Sequence, residues 1–378
     1  MTRLIQLHRA RARDHEPGDQ AEAPVTHVPV EGGALGTQVG NGVVAEDHGA
    51  DAIPFAMSEI ADDPRLDPRL KNLLSAFPGF EQPGGFETRD ELIAEMNTPE
   101  ILAVREMVRG FLDMVDNEDV APSDGLAITE HEFVSNPDGN TVKLRFVRPQ
   151  GDDPLPCVYY IHGGGMAILS AYDGMYRAWA KIMASQGVAV TMVDMRNCVQ
   201  PSSAPEVEPF PAGLNDCVSG LKWVLSNAAH LGIDPDHVIV AGESGGGNLT
   251  LATGLKLKQD GDLGLVRGLY ALCPYIAGEW PQERFPSSIE NNGILLDLHN
   301  NFGRLGYGIE EFEAKNPLAW PSFATEEDVA GLPPTMISVN ECDPLRDEGI
   351  EFYRLLLRAG VAAQCLSLIH ISEPTRPF

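Results

Sequence analysis

The chain has 378 residues, 43% hydrophobic and 22% charged, a make-up that fits a globular protein and excludes collagen-like repeats or disorder throughout. Asp and Glu number 55 against 27 Lys and Arg, for a formal charge of -28, which repels phosphate backbones and argues against nucleic acid as a partner. No stretch approaches the ~20 apolar residues a membrane span needs, and the six scattered cysteines form no CxxC pair or metal-spaced cluster with histidine.

No membrane span, metal or cofactor is therefore expected, and reduced thiols fit a cytoplasmic protein. The start, Met1-Thr2-Arg3-Leu4-Ile5, lacks the apolar core of a secretory signal. Residues 1–62, rich in Gly, Ala, Pro and acids without periodicity, predict an extended arm. From 63 to 125 the pattern becomes helical, with Leu70, Leu73, Leu74 and Phe77 on one face, followed by Ile93, Met96, Ile101, Val104 and Met107.

A strand and helix alternation occupies 126–378 and predicts an α/β fold, a mostly parallel sheet with helices on both faces. The strand candidates are Val142–Val147, Cys157–Ile161, Val188–Val193, Val238–Ala241, Leu269–Cys273 and Thr335–Val339. Between Pro211 and His230, the set Leu214, Cys217, Val218, Leu221, Val224 and Leu225 recurs at three and four residues, as a helix lying on a sheet does. The stretch 276–323 breaks the alternation with Pro, Asn, Gly and aromatic residues and reads as an insertion above the sheet.

Three motifs carry chemistry. Val238 to Ala241 runs into Gly242-Glu243-Ser244-Gly245-Gly246, a G-x-S-x-G sequence between a strand and a helix. Such a sharp elbow strains the serine backbone and presents its hydroxyl at a helix N-terminus, as a nucleophile needs. A phosphate loop is the competing reading, but the lysine that should follow the glycines is missing. Upstream, Tyr159-Tyr160-Ile161 ends in His162-Gly163-Gly164-Gly165. Acyl transfer needs N–H donors for the developing oxyanion, and Gly163, Gly164 and Gly245 are the expected donors, with His162 a packing residue. Downstream, Asn340-Glu341-Cys342-Asp343-Pro344-Leu345-Arg346-Asp347-Glu348 places carboxylates directly after a strand. Asp343 is expected to orient a catalytic histidine, whereas Asp347 and Glu348 open an amphipathic helix and favour its dipole.

Together, His-Gly-Gly-Gly, G-x-S-x-G and Asp-Pro-Leu-Arg-Asp-Glu-Gly in this order resemble the hormone-sensitive-lipase-like, bacterial family IV carboxylesterases of the α/β hydrolases. The similarity runs from about 63 to 365 and includes Leu66 to Lys71 and Pro209 to Ala212. It implies the α/β-hydrolase fold, a cap built from 63–125 and 276–323, and cofactor-free hydrolysis of short-to-medium acyl esters as small-molecule substrates. Two segments depart from the family pattern: Glu243-Ser244-Gly245 stands for the usual Asp-Ser-Ala, and Met195-Arg196-Asn197-Cys198-Val199-Gln200 for the usual Tyr-Arg-Leu-Ala-Pro-Glu.

The family histidine follows the aspartate by some thirty residues, yet position 373 is Glu373 and the histidine beyond Asp343 is His370. Leu366 to Arg376 reads like a translated sequencing adapter, so a gene cut short near Cys365, with the natural last strand, loop and helix missing, is expected. A catalytically impaired ligand-binding protein on the same fold, and a related amidase or formamidase, are the alternative functions. A homodimer is compatible with the sequence, which assigns no interface to it.

Overall fold

The computed structural model describes residues 64–66, 68, 71, 80–81 and 84–368. The arm at 1–62 and the face formed by Leu70, Leu73, Leu74 and Phe77 lie outside these.

Eight strands form one sheet: β1 (Leu126–Val134), β2 (Thr141–Pro149), β3 (Leu155–Ile161), β4 (Ala189–Val193), β5 (Ile233–Glu243), β6 (Gly268–Leu272), β7 (Thr335–Asn340) and β8 (Ala363–Leu368). Their order across the sheet is β8-β7-β6-β5-β3-β4-β2-β1. The β1–β2 and β2–β4 pairs are antiparallel and the rest parallel. β4 is buried at every position, as an interior strand covered on both faces must be. β5 starts five residues before the expected Val238, because the register with β3 shifts between Leu155 and Cys157 and lets Ile233 pair. The expectation of a missing last strand is corrected: Ala363–Leu368 pairs along β7 from Ala363 opposite Thr335 to Leu368 opposite Asn340.

Two helices precede the sheet, α1 (Arg89–Met96) and α2 (Pro99–Asp113). Thr88 and Glu91 close a capping box on α1, and Thr98 caps α2 with Pro99 in its first turn, so the helical run divides at Asn97. Leu92, Met96, Val108 and Leu112 are buried, but Val104 and Met107 stay 45% and 56% exposed. The expected apolar face is therefore only partly an interior one.

The sheet is covered by α3 (Gly174–Ala184), α4 (Ala212–Ser226), α5 (Gly245–Asp260) and α6 (Arg346–Arg358). α4 buries Leu214, Cys217, Val218, Leu221 and Val224 as its spacing requires. It comes close because Gly220 has no side chain: a Cβ there would sit 2.4 Å from the Tyr159 hydroxyl, which donates to the Cys217 carbonyl at 2.9 Å.

The 276–323 stretch folds as short helices around an aromatic group in which Tyr275 stacks on Trp280 at 4.4 Å and Trp320 packs against Tyr275, Trp280, Tyr307 and Phe312. Glu348, buried in α6, fastens it by accepting from Ile276 N (2.6 Å), Ala277 N (3.2 Å) and Trp280 Nε1 (2.6 Å). Burial pushes the Glu348 carboxyl up to about 8. On the other side, α1 and α2 are tied to the chain after β4: Arg89 donates to the Cys198 carbonyl (2.7 Å), Arg105 to that of Pro201 (3.0 Å), and Gln200 to that of Met96 (2.6 Å). Among the described residues no helix is long and apolar enough to cross a membrane.

Candidate active site

The carboxyl ends of β3, β5, β6 and β7 converge, as they do at ligand sites of open parallel sheets. Ser244 follows β5 with φ 54° and ψ -119°, a left-handed conformation that a side chain seldom adopts. The turn is held by its own backbone: Ser244 N–H donates to the Leu272 carbonyl (2.9 Å), and the Ser244 carbonyl accepts from Asn248 (3.0 Å) and Tyr275 (3.0 Å). No other residue type fits beside it. A Cβ at Gly246 would lie 2.1 Å from the Ile161 carbonyl oxygen, and one at Gly245 2.5 Å from Met166 N. The strand and helix can thus meet only where bare backbone meets bare backbone.

Facing Ser244 is the glycine run after β3. Gly164 and Gly165 take φ of 94° and 62° and border the same cavity as the serine. Among the described residues the N–H groups of Gly164, Gly165 and Gly245 engage no protein acceptor. Gly163 is placed otherwise than expected. Its N–H donates to Glu243 Oε1 and the Tyr176 hydroxyl, both at 2.9 Å, so it is spent on the protein and not on the cavity. Glu243 also receives the Tyr160 hydroxyl on Oε2 (2.6 Å) and the Tyr176 hydroxyl on Oε1. Burial raises its pKa, and the two tyrosine hydrogen bonds oppose that rise. Three donors converging on two oxygens is the arrangement a buried carboxylate needs. Sequence reading treats Glu243 as a departure from the family's Asp-Ser-Ala; in the fold it bolts the glycine loop to the serine elbow.

A layer beneath this loop was also missed. Asp194, fully buried after β4, accepts from Ser170 Oγ (2.8 Å), Ala171 N (2.7 Å) and Ser203 N (2.7 Å). His162 lies in this layer, its Nδ1 2.9 Å from the Gly163 carbonyl and its Nε2 3.6 Å from Asp194. The departing segment Met195–Gln200 backs the turn after the glycines, with Cys198 N–H on the Met166 carbonyl (2.8 Å) and Gln200 N–H on that of Ala167 (2.9 Å). Arg196 anchors the segment through buried Asp216 (2.9 Å) and through Asp138 (2.5 Å). The one local signal for this layer is an acid directly after an apolar strand, at Val193-Asp194.

Of the four carboxylates after β7, Glu341, Asp343, Asp347 and Glu348, Asp343 alone borders the cavity. Asp347 is taken by Ser287 N–H (2.7 Å) and Arg346 (2.9 Å), and Glu348 by the insertion. Burial pushes Asp343 up to about 6, opposed by the Leu345 N–H (2.9 Å on Oδ1) and by Asn340. His370 lies outside the described residues. The cavity holds about 340 Å³ and is walled mainly by apolar side chains of α2 and of residues 295–302. The site can therefore present the Ser244 hydroxyl, the glycine loop of Gly164 and Gly165 and the Asp343 carboxylate around one apolar chamber, with the Gly245 amide at the turn beside the serine. No group of three or more His, Cys, Asp or Glu side chains among the described residues could hold a metal ion.

The comparisons with known proteins agree with this geometry. The family described as the alpha/beta hydrolase fold matches residues 158–369. Carboxylesterase NlhH of Mycobacterium tuberculosis is 31% identical over 308 residues, spanning 80% of this chain and 86% of that protein. Among solved structures, esterase Est22 is 63% identical with a TM-score of 0.80 over 82% of this chain and 91% of its own. Brefeldin A esterase, described as a bacterial homologue of human hormone-sensitive lipase, is 33% identical with a TM-score of 0.73 over 84% and 89%. The chain thus belongs to the α/β-hydrolase fold family, in its hormone-sensitive-lipase-like carboxylesterase branch.

Proposed function

We propose that the protein is a serine carboxylesterase that hydrolyses short-to-medium acyl esters, with Ser244 as nucleophile. The observation that carries this is the strained Ser244 backbone beside three unspent amide donors. A protein that only binds its ligand gains nothing from holding a serine at φ 54°, a conformation that costs on the order of 1–3 kcal/mol.

In this reading the Ser244 hydroxyl attacks the ester carbonyl, passes its proton to a histidine, and forms an acyl-enzyme that water then cleaves. Asp343 orients that histidine, for which His370 is the candidate this sequence offers. The amide hydrogens of Gly164, Gly165 and Gly245 receive the oxyanion. Gly163 leaves the donor set assumed from sequence and becomes the point at which Glu243 grips the loop. The apolar walls, built from both segments that cover the sheet, suit an acyl chain. The buried free thiols of Cys157, Cys198 and Cys217 are in keeping with a reducing cytoplasm.

Burst release of 4-nitrophenol from a short 4-nitrophenyl ester, with Ser244→Ala as control, tests the nucleophile. The variant should lose the burst and fall by roughly 10⁶-fold toward background, and equal rates in the two proteins would refute the assignment. Glu243 has its own signature. In Glu243→Gln the amide can still accept from Gly163 and Tyr176 while donating to the Tyr160 oxygen, so most activity should remain. Glu243→Leu leaves those donors buried and unpaired and should lower kcat by about 10²-fold with little change in KM; a Leu variant within threefold of wild type would dismiss the bolt.

Asp343 makes a pH prediction. Its folded pKa is raised above its unfolded one, so the native state holds the proton longer, and stability falls as pH rises from about 4 through about 6. Asp343→Asn removes that cost. Urea titrations should show the variant level with wild type near pH 4 and more stable, on the order of 2 kcal/mol, above pH 7. A difference independent of pH would contradict the buried-carboxyl account.

A further inference from the structure

We propose that Arg105 is the recognition point for a carboxylate carried by the substrate, so that the preferred esters bear an anionic group at the end of one arm. The inference rests on the esterase reading and extends it to substrate class.

The starting point is a residue where a helix should place an apolar one. Ile101, Val108 and Leu112 mark the face of α2 turned to the cavity, and Arg105 and Arg109 occupy the same stripe at helical spacing. The two arginines differ in what they face. Arg109 is neutralised by buried Asp173 at 2.9 Å, and at 3.8 Å by Glu106, which is 76% exposed. Arg105 forms no ion pair among the described residues, and its one hydrogen bond goes to the Pro201 carbonyl at 3.0 Å.

A guanidinium has five N–H donors in a rigid fork that fits a carboxylate with two parallel bonds, and here four remain. Burial and the neighbouring Arg109 lower its pKa, while Asp173 and Glu106 act in the opposite sense from a distance. Holding a cation part-buried against an apolar wall without a counter-charge costs free energy that the fold does not return. A tether to Pro201 alone could be made by a neutral amide. The unspent charge shares its chamber with Ser244, so an anion delivered with the ester meets it as the carbonyl meets the serine. The chain's -28 net charge repels such a substrate at long range, but screening confines that repulsion to about 8 Å at physiological salt, whereas Arg105 acts at contact.

The test uses the full chain and two ester pairs matched in carbon-chain length. 4-Nitrophenyl valerate and mono-4-nitrophenyl glutarate place the charge on the acyl arm; pentyl acetate and 5-acetoxypentanoate place it on the alcohol arm. The readout is the ratio of kcat/KM for the charged over the neutral member. In at least one pair this ratio should fall about ten- to a hundredfold in Arg105→Gln, which keeps an amide donor for Pro201, and less in Arg105→Lys, which keeps the charge but loses the fork. An unchanged ratio in Arg105→Gln for both pairs overturns the proposal. Should wild-type Ser244 neither react with a fluorophosphonate nor turn over any ester, the esterase reading itself fails, and calorimetric titration with valerate and its neutral amide, valeramide, decides the binding claim. Tighter valerate binding that is lost in Arg105→Gln supports it, and equal binding of the two ends it.

Discussion

The structure depends on one tight contact: the elbow at Ser244 must pass within bare-backbone distance of the loop after β3. Ser244 is held at φ 54°, and any Cβ at Gly242, Gly245 or Gly246 would intrude to within 2.7 Å of that loop or of the turn itself. The same closeness sets the nucleophile beside the amide donors, so the strain and the chemistry are one arrangement. Such a conformation persists only if its surroundings over-determine it, and here the sheet does so, since Gly242 is in register with Ile161 on one side and Ala271 on the other.

A carboxylate regulates that contact. Glu243 stands next to the nucleophile and grips Gly163, with Tyr160 from β3 and Tyr176 from α3 completing its shell. Three elements therefore converge on one buried charge. Beneath it, Asp194 and the Met195–Gln200 segment carry the turn that follows the glycines. Above it, Arg89 and Arg105 of the covering helices donate to the Cys198 and Pro201 carbonyls, and Gln200 of the segment donates back to the Met96 carbonyl, which couples the roof of the cavity to its floor.

How much of this the sequence disclosed follows from the range of each interaction. The strands and the α4 stripe were legible because burial on a sheet imposes a local period. The serine, the glycine run and Asp343 were legible because each lies in a short motif at the end of a strand. The end of α1, the outward turn of Met107 and the early start of β5 were not, since caps and a register shift decide them. The role of Gly163 was misjudged for a related reason: whether an N–H faces a cavity depends on a carboxylate 80 positions away in the chain. The last strand was misjudged because pairing with β7 is indifferent to side-chain identity and accepts Leu366 and Ser367 as readily as a more β-prone pair.

The claim that Ser244 acts with a donor set of Gly164, Gly165 and Gly245 is tested most directly by a crystal structure of the chain covalently phosphonylated with a short-chain 4-nitrophenyl phosphonate. The account predicts the phosphorus on Ser244 Oγ, a phosphonyl oxygen about 3 Å from those three nitrogens, and Gly163 N–H still on Glu243. A phosphonyl oxygen bound by Gly163, or phosphorus on any other residue, would contradict it.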